Sequence, residues 1–459
     1  MRAGSWILLA VYLAAVLSAG LAARRRMRGF EDFFLASRRL TGPLMALSLT
    51  ASWFGAGSIL VTADDAFLQG AGALWLIGFP AVASILVLLA LAGPLRRLPA
   101  PTLPELAGLR YGPVVRTITA ALLVWYMVLL AASQMAALGT FLSASVRRPY
   151  LECMAAGTAV VLIYSAAGGL RSVIASDVVQ CAFLAAGLGG LAVFLSRMSA
   201  GGAMAAPPNV AGGSGLGAGF PEYGLIFLSM TLAWTISPIA HQRIQAARSG
   251  RAARFGLAAS AAALAVLYGL VVMIGVLARP VFGGNLPKGS LVPALIADKL
   301  GPFLGSLLFA AVLAAILSTL DTALSAGGLA LVRDVFGRGR EGRPDRGPGA
   351  SRLALVLAAA AAFAVAARFQ SILQTLGLAS EIMAEGFFVP GLAMILSAKR
   401  RPLAGLLSLS LGGGFAVLSF LSSAGILPLP LPSWPFSLPF GLGLSALGFV
   451  VGLWWDKFR

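Results

Sequence analysis

Along the chain, apolar runs of roughly 20 residues alternate with short polar or basic connectors, and a helix of that length crosses the hydrocarbon of a bilayer. The pattern predicts helices over 4–22, 43–63, 71–93, 115–145, 152–167, 173–196, 223–241, 255–278, 302–330, 353–367, 371–397, 404–425 and 437–455, thirteen in all. The connectors 198–222, rich in Gly, Ala and Pro, and 334–351, rich in Arg, Gly and Pro, read as flexible links.

Polar positions inside the runs carry the next layer of information. The run over 302–330 holds Ser318, Thr319, Asp321, Thr322 and Ser325 at its middle. Ionisable groups inside a membrane span are costly and mark a partner helix or an ion path. Oxygen-only side chains at i, i+1, i+3 and i+4 suit a small hard cation better than a soft metal. Back-bonding hydroxyls and an aspartate that bonds a neighbouring helix are the alternative. Two other runs look broken. Gly55 and Gly57 leave helical backbone poorly supported in the run 43–63, and Pro238 removes an internal hydrogen bond from the run 223–241. Interrupted helices at matching positions of two five-helix halves point to an inverted-repeat transporter with a site at mid-depth. Gly and Pro are also frequent in membrane helices generally.

Composition agrees with the pattern. Of 459 residues 59% are hydrophobic and 11% charged, with a mean hydropathy of +0.91, so the chain reads as a polytopic α-helical membrane protein. The run 4–22 is followed by Arg24, Arg25 and Arg26, which marks an anchor and not a cleaved signal. The net charge of +18 does not indicate nucleic acid. With connectors assigned alternately from an outer N-terminus, most of the Lys and Arg fall on the inner side, so the charge records topology and contact with anionic lipid. Cys153 and Cys181 read as small apolar fillers, and a lone His241 argues against a histidine-built metal site or a Ser-His-Asp centre. The run Gly213-Ser214-Gly215-Leu216-Gly217 lacks the strand before it and the lysine after it that a phosphate loop needs. No extramembranous stretch is long enough for a nucleotide-binding domain, which counts against ATP-driven transport.

Several segments carry a resemblance to a known family. They are Ala315-Ile316-Leu317-Ser318-Thr319-Leu320-Asp321-Thr322 with Arg333-Asp334-Val335-Phe336, and Gly168-Gly169-Leu170-Arg171-Ser172-Val173-Ile174-Ala175-Ser176-Asp177-Val178-Val179-Gln180. Phe33-Phe34-Leu35-Ala36-Ser37-Arg38-Arg39, Thr102-Leu103-Pro104-Glu105-Leu106 with Arg110-Tyr111-Gly112, and Gln242-Arg243 with Ala246-Ala247-Arg248 complete the set. From about residue 30 to 400 the chain resembles the sodium/solute symporter family, carriers of sugar, proline, pantothenate, choline and sialic acid. Around Thr50-Ala51-Ser52-Trp53-Phe54-Gly55-Ala56-Gly57 it is nearest in appearance to the choline-carrier-like branch.

The resemblance implies an all-α LeuT-type fold with a 5+5 inverted-repeat core, one preceding helix and two following ones. The implied division is an N-terminal helix and basic connector over 1–40, a first repeat over 41–200, an outer loop over 201–222, a second repeat over 223–400 and two additional helices over 401–459. A sodium ion is implied between core helices one and eight, held by the carbonyls of Ala51, Phe54 and Ala315 and the hydroxyls of Ser318 and Thr319. Some members bind a second sodium, for which Asp177, Asp321 and Thr322 are the matching positions; capping, or pairing with Arg171, is the alternative for Asp177. Positions that contact solute in relatives correspond to Trp53, Gly55, Ser58, residues 77–79 with Phe79, and residues 234–238 with Trp234 and Pro238. Aromatic rings there suit a quaternary ammonium by cation–π attraction, whereas Trp53, Trp75, Trp125 and Trp234 also fit simple packing. Glu381 and Glu385 are open between solute charge, gating and a structural bond.

The expected function is a secondary active transporter in the plasma (inner) membrane that couples inward sodium movement to uptake of a small polar organic solute by alternating access. Its N-terminus is outside and its C-terminus cytoplasmic. Its partners are Na+, the solute and the lipid bilayer, with no nucleic acid and no transition metal, and a monomer suffices although an oligomer is allowed. No nucleophile–base or metal constellation suggests an enzyme. The alternatives are proton coupling through Asp177, Asp321 or a glutamate, and a non-transporting solute sensor, against which the end of the chain at Arg459 without a signalling segment counts.

Overall fold

In hydrocarbon every backbone N–H and C=O must be satisfied internally, and a helix does this within one segment. The computed structural model describes residues 3–24, 35–200, 216–335 and 348–458. Arg25, Arg26, Phe33, Phe34, Phe336 and the first three residues of the Gly213–Gly217 run lie outside the described residues. Among the described residues regular structure is helical, apart from one isolated parallel bridge between Leu40 and Ala247.

After α1 (Ala3–Arg24), core helix one is built from α2 (Gly42–Trp53), a π-helical turn (Gly57–Val61) and α3 (Thr62–Gln69). A 3-10 segment (Gly70–Trp75) leads to α4 (Gly78–Arg97), followed by the short α5 (Leu103–Tyr111) and the long α6 (Pro113–Val146). α7 (Tyr150–Ala200) contains two core helices, separated at Gly169, whose φ of 56° and ψ of −149° leave the helical region. The second half begins with α8 (Gly219–Thr235) and α9 (Pro238–Ala246), continues with α10 (Gly250–Ala278), the short α11 (Leu291–Ala294), α12 (Pro302–Leu329) and α13 (Pro348–Arg368), and closes with α14 (Ile372–Glu381) and α15 (Phe388–Leu396). The accessory helices are α16 (Pro402–Ser408) with α17 (Gly414–Ser423), and α18 (Leu438–Trp455).

Among the described residues nine stretches are both long and apolar enough to cross a bilayer, against the thirteen expected. Three of the four differences have local causes, the fourth being the expected helix 353–367 within α13. α1 contributes only the shorter apolar stretch Ile7–Gly20, α7 carries Tyr150–Ile163 before its kink, and core helix one is cut after 12 residues of α2. The helix expected over 71–93 starts late, at Gly78, because a 3-10 turn takes up Gly70–Trp75.

α12 forms the axis of the bundle, and every residue from Leu308 to Leu329 is buried. It packs against α7, α6, α1 and α2, while α10 packs against α2, α3 and α4. The two broken helices run in opposite directions. The start of α2 meets the end of α9, where the Leu40 amide donates to the Ala246 carbonyl at 3.0 Å and the Arg248 amide to the Leu40 carbonyl at 2.9 Å. Accessory helix α18 packs on α16 and on the turn between α16 and α17.

Candidate functional site

The break in core helix one falls at Phe54 and Gly55. Phe54 takes φ −101° and ψ 72°, so α2 ends and its last carbonyls have no following turn to bond. α12 supplies what faces them. The Ser318 hydroxyl donates to the Ala51 carbonyl at 2.8 Å and lies 3.0 Å from the Ala315 carbonyl, and the Thr319 hydroxyl donates to the same Ala315 carbonyl at 3.1 Å. The structure therefore brings Ala51, Ala315, Ser318 and Thr319 together, with Phe54 capping the same turn. The donor set consists of dipoles only, hydroxyls and carbonyls, which are hard ligands for a small monovalent cation.

Gly55 holds these parts at close range. A Cβ at Gly55 would stand 2.8 Å from the Thr319 Oγ1 and 2.8 Å from the Gln134 Oε1, so only glycine lets α12 and α6 approach the break. Gln134 caps the other side: its Oε1 accepts the Ala56 amide at 2.9 Å while its Nε2 donates to Ser133 at 3.0 Å. An amide inside an apolar span thus satisfies a backbone donor that the break would otherwise leave bare.

The break opens onto a cavity of about 40 Å3 lined by Ser52, Trp53, Gly55, Gly57, Ser58, Ile77, Tyr126, Leu130, Gln134, Trp234, Ser237, Ile239, Thr319 and Leu376. Trp53 and Trp234 face each other there with ring centroids 5.7 Å apart. Ser58 bonds the Tyr268 hydroxyl at 2.7 Å. The helix break and the cavity share Gly55, Gln134 and Thr319.

Of the residues expected at the solute, Trp53, Gly55, Ser58 and Trp234 line this cavity, and so does Ile77. Two do not. Phe79 turns away and packs its ring on Trp75 at 4.9 Å, because the helix begins at Gly78 and rotates residue 79 off the cavity face. Pro238 opens α9 and lines a neighbouring pocket with Thr102, Met127 and His241. Trp75 and Trp125 serve packing: Trp75 contacts Phe79, Phe220 and Phe227, and Trp125 contacts Phe420. The lining residues that sequence reasoning did not assign to the solute are Tyr126, Leu130 and Gln134 on α6, Leu376 on α14, Ile239 on α9, and Ser52 and Gly57 beside the first break. A lone glutamine in an apolar span was the available signal for the first group.

Asp177, Asp321 and Thr322 also meet, and they meet a residue not anticipated there. The fully buried Arg243 of α9 donates to Thr322 at 3.0 Å and to Ser52 at 3.1 Å, and its guanidinium stands 3.9 Å from the Asp177 carboxylate. The Ser48 hydroxyl donates to the same Asp177 oxygen at 2.6 Å, and Ser176 lies 3.5 Å from Asp321. This network ties both broken helices to α7 and α12. A buried charge is tolerated when it is paired and hydrogen-bonded in this way.

Known proteins give the comparison. The model of the sodium:solute symporter family matches residues 33–400. A solved structure described as the substrate-bound outward-open state of a Na+-coupled sialic acid symporter aligns with a TM-score of 0.78 at 15% identity, covering 98% of this chain and 97% of that one. A nucleobase-cation-symport-1 family transporter in a closed conformation, with bromovinylhydantoin bound, aligns with a TM-score of 0.52 at 16% identity, covering 92% and 94%. Among curated proteins none matches. At these identities the solved structures speak to the fold, and the fold is the LeuT-type inverted repeat.

Proposed function

The chain belongs to the sodium:solute symporter family, and from that premise we propose that it couples inward sodium movement to uptake of a small organic solute by alternating access. It is a multi-pass membrane protein and a secondary transporter, not an enzyme. The observation that carries the finer reading is the Ser318 hydroxyl bridging the Ala51 carbonyl of the broken helix and the Ala315 carbonyl of α12. One sodium ion taken by Ala51, Phe54, Ala315, Ser318 and Thr319 fastens core helix one to core helix eight. Because Thr319 and Gly55 belong to the cavity wall as well, the ion completes the solute site from behind, and its departure loosens it.

Ser52, Ser237 and Gln134 would meet the polar part of the solute, and the Trp53–Trp234 pair its apolar or cationic part. Tyr126 is the one ionisable side chain in that lining, so a solute charge would have to be met by ring faces, which favours a cation over an anion. The bias of basic residues toward one set of connectors supports a plasma (inner) membrane protein with its N-terminus outside and its C-terminus in the cytoplasm. Neutral ligands bind sodium loosely enough for release into a sodium-poor interior.

Binding of radioactive sodium to the purified protein tests this reading without knowledge of the solute. Saturable binding that is weakened about tenfold or more in Thr319→Ala, a loss of about 1.4 kcal/mol, is expected. Equal binding in the wild type and the variant rules out the ligand assignment. Uptake over a panel of quaternary amines, amino acids and carboxylates, with and without a sodium gradient, then names the solute.

A further inference from the structure

Core helix ten carries two glutamates that no step of transport described above employs. Glu381 is the last residue of α14 and Glu385 lies in the π-helical turn Ile382–Phe387 that follows. Both are fully buried. π-turns inside helices recur at functional positions. The Ser419 hydroxyl of α17 lies 2.6 Å from Glu381 Oε1 and 3.0 Å from the Pro432 carbonyl. The Ser437 hydroxyl, just ahead of α18, lies 2.7 Å from Glu385 Oε1 and within reach of Glu381 as well.

Counting protons across these contacts exposes a deficit. Each hydroxyl has one hydrogen to give. Ser419 stands between two acceptors, a carboxyl oxygen and a carbonyl, and Ser437 stands between two carboxyls. Two hydroxyl protons cannot fill these oxygen pairs, and the second oxygens, Glu381 Oε2 and Glu385 Oε2, are buried without a hydrogen-bond partner.

No positive charge makes up the difference among the described residues packed on this turn. α15, α17, α18 and the segment Leu409–Gly413 contain no ionisable side chain, and α14 contains none besides Glu381. α6 carries Arg116, which lies beside Gly108, and Tyr126, which lines the central cavity. α8 carries Glu222 and Tyr223, which bond Gln69 and Asp65. Two buried carboxylates without a counter-charge are not a stable arrangement.

We propose that Glu381 and Glu385 together bind one exchangeable proton at the junction of core helix ten with the accessory helices. The proton supplies the missing hydrogen: held on one carboxyl it is donated to Ser419 or Ser437, which frees that hydroxyl for its other acceptor. The packing fits a ligand without volume. Glu385 Oε2 is pressed onto Gly441 of α18, where any side chain would collide with it, and the Glu385 carbonyl is pressed onto Gly412 in the same way. The site therefore glues α17 and α18 to the turn between α14 and α15 while the proton is present.

Infrared spectroscopy of the purified protein tests the proposal, and it needs neither solute nor gradient, so its result is separate from that of the transport reading. The wild type should show the carbonyl stretch of a buried protonated carboxylic acid, shifted in heavy water. The double variant E381Q/E385Q, isosteric and neutral, should lose that band and bind radioactive sodium as the wild type does. An unchanged band in the double variant overturns the proposal, and so does loss of one bound sodium, which would make sodium the occupant. Should the double variant fail to fold, E381Q and E385Q singly must each remove or shift the band, and a band unmoved by either is equally fatal.

Discussion

A methyl group added at Gly55 would stand 2.8 Å from both the Gln134 amide oxygen and the Thr319 hydroxyl. Neither neighbour is free to yield, since Gln134 is held by Ala56 and Thr319 by Ala315. Overpacking of this kind costs about 1–3 kcal/mol. Gly55→Ala is expected to fold with a lowered melting temperature and to lose most of the extra stability that added sodium confers, measured by thermal unfolding across a sodium titration. An undiminished sodium effect would separate the break from the ion. Gln134 yields a second expectation at this scale. Gln134→Leu leaves the buried Ala56 amide without its acceptor, a loss of about 1–3 kcal/mol, again read as a fall in melting temperature. Ser318 and Thr319 were legible in the sequence because two hydroxyls in an apolar run stand out. Gln134 stands out in its apolar run as well, but its role was not legible, because nothing in a single amide says that its partner is a backbone donor on another helix.

Helices were legible wherever apolar length decided them, and less so where backbone conformation did. Gly169 illustrates the second kind. The apolar pattern predicted two helices, 152–167 and 173–196, and the break does fall between them, but as a single non-helical residue, Gly169, in a chain otherwise helical from Tyr150 to Ala200. With φ 56° and ψ −149° that residue occupies a region nearly closed to side chains, at a cost of about 1–3 kcal/mol for any other residue. Gly169→Ala should therefore lower thermal stability in detergent by that amount, and a neutral result would show that the kink relaxes. Phe79 lies off the cavity for a related reason. Which way a residue near a helix start points depends on the residue at which the helix begins, and the 3-10 turn at Gly70–Trp75 moved that start to Gly78. Pro238 marked the second break correctly, but its position at the start of α9 sends it to the neighbouring pocket. The sequence also offered no hint that Arg243 would reach Thr322, since the two are brought together only by the crossing of α9 and α12.

For the molecule as a whole, the proposed cation ligands Ala51, Phe54, Ala315, Ser318 and Thr319 are all neutral, so a sodium ion bound there would carry its full charge across the membrane. An inside-negative potential adds about 2.3 kcal/mol per charge for every 100 mV. Solute accumulation in proteoliposomes is expected to rise when a potassium diffusion potential, negative inside, is imposed on a fixed sodium gradient. Accumulation indifferent to potential would mean that another charge moves with the ion.

The pairing of Leu40 with Ala246 and Arg248 is the one patch of sheet-like structure among the described residues, and it joins the first residues before one broken helix to the last residues of the other. Rocking that parts those helices must first unzip these two amides. Backbone deuterium uptake at Leu40 and Arg248 would then keep time with opening of this end, turning two hydrogen bonds into a clock for the transport cycle.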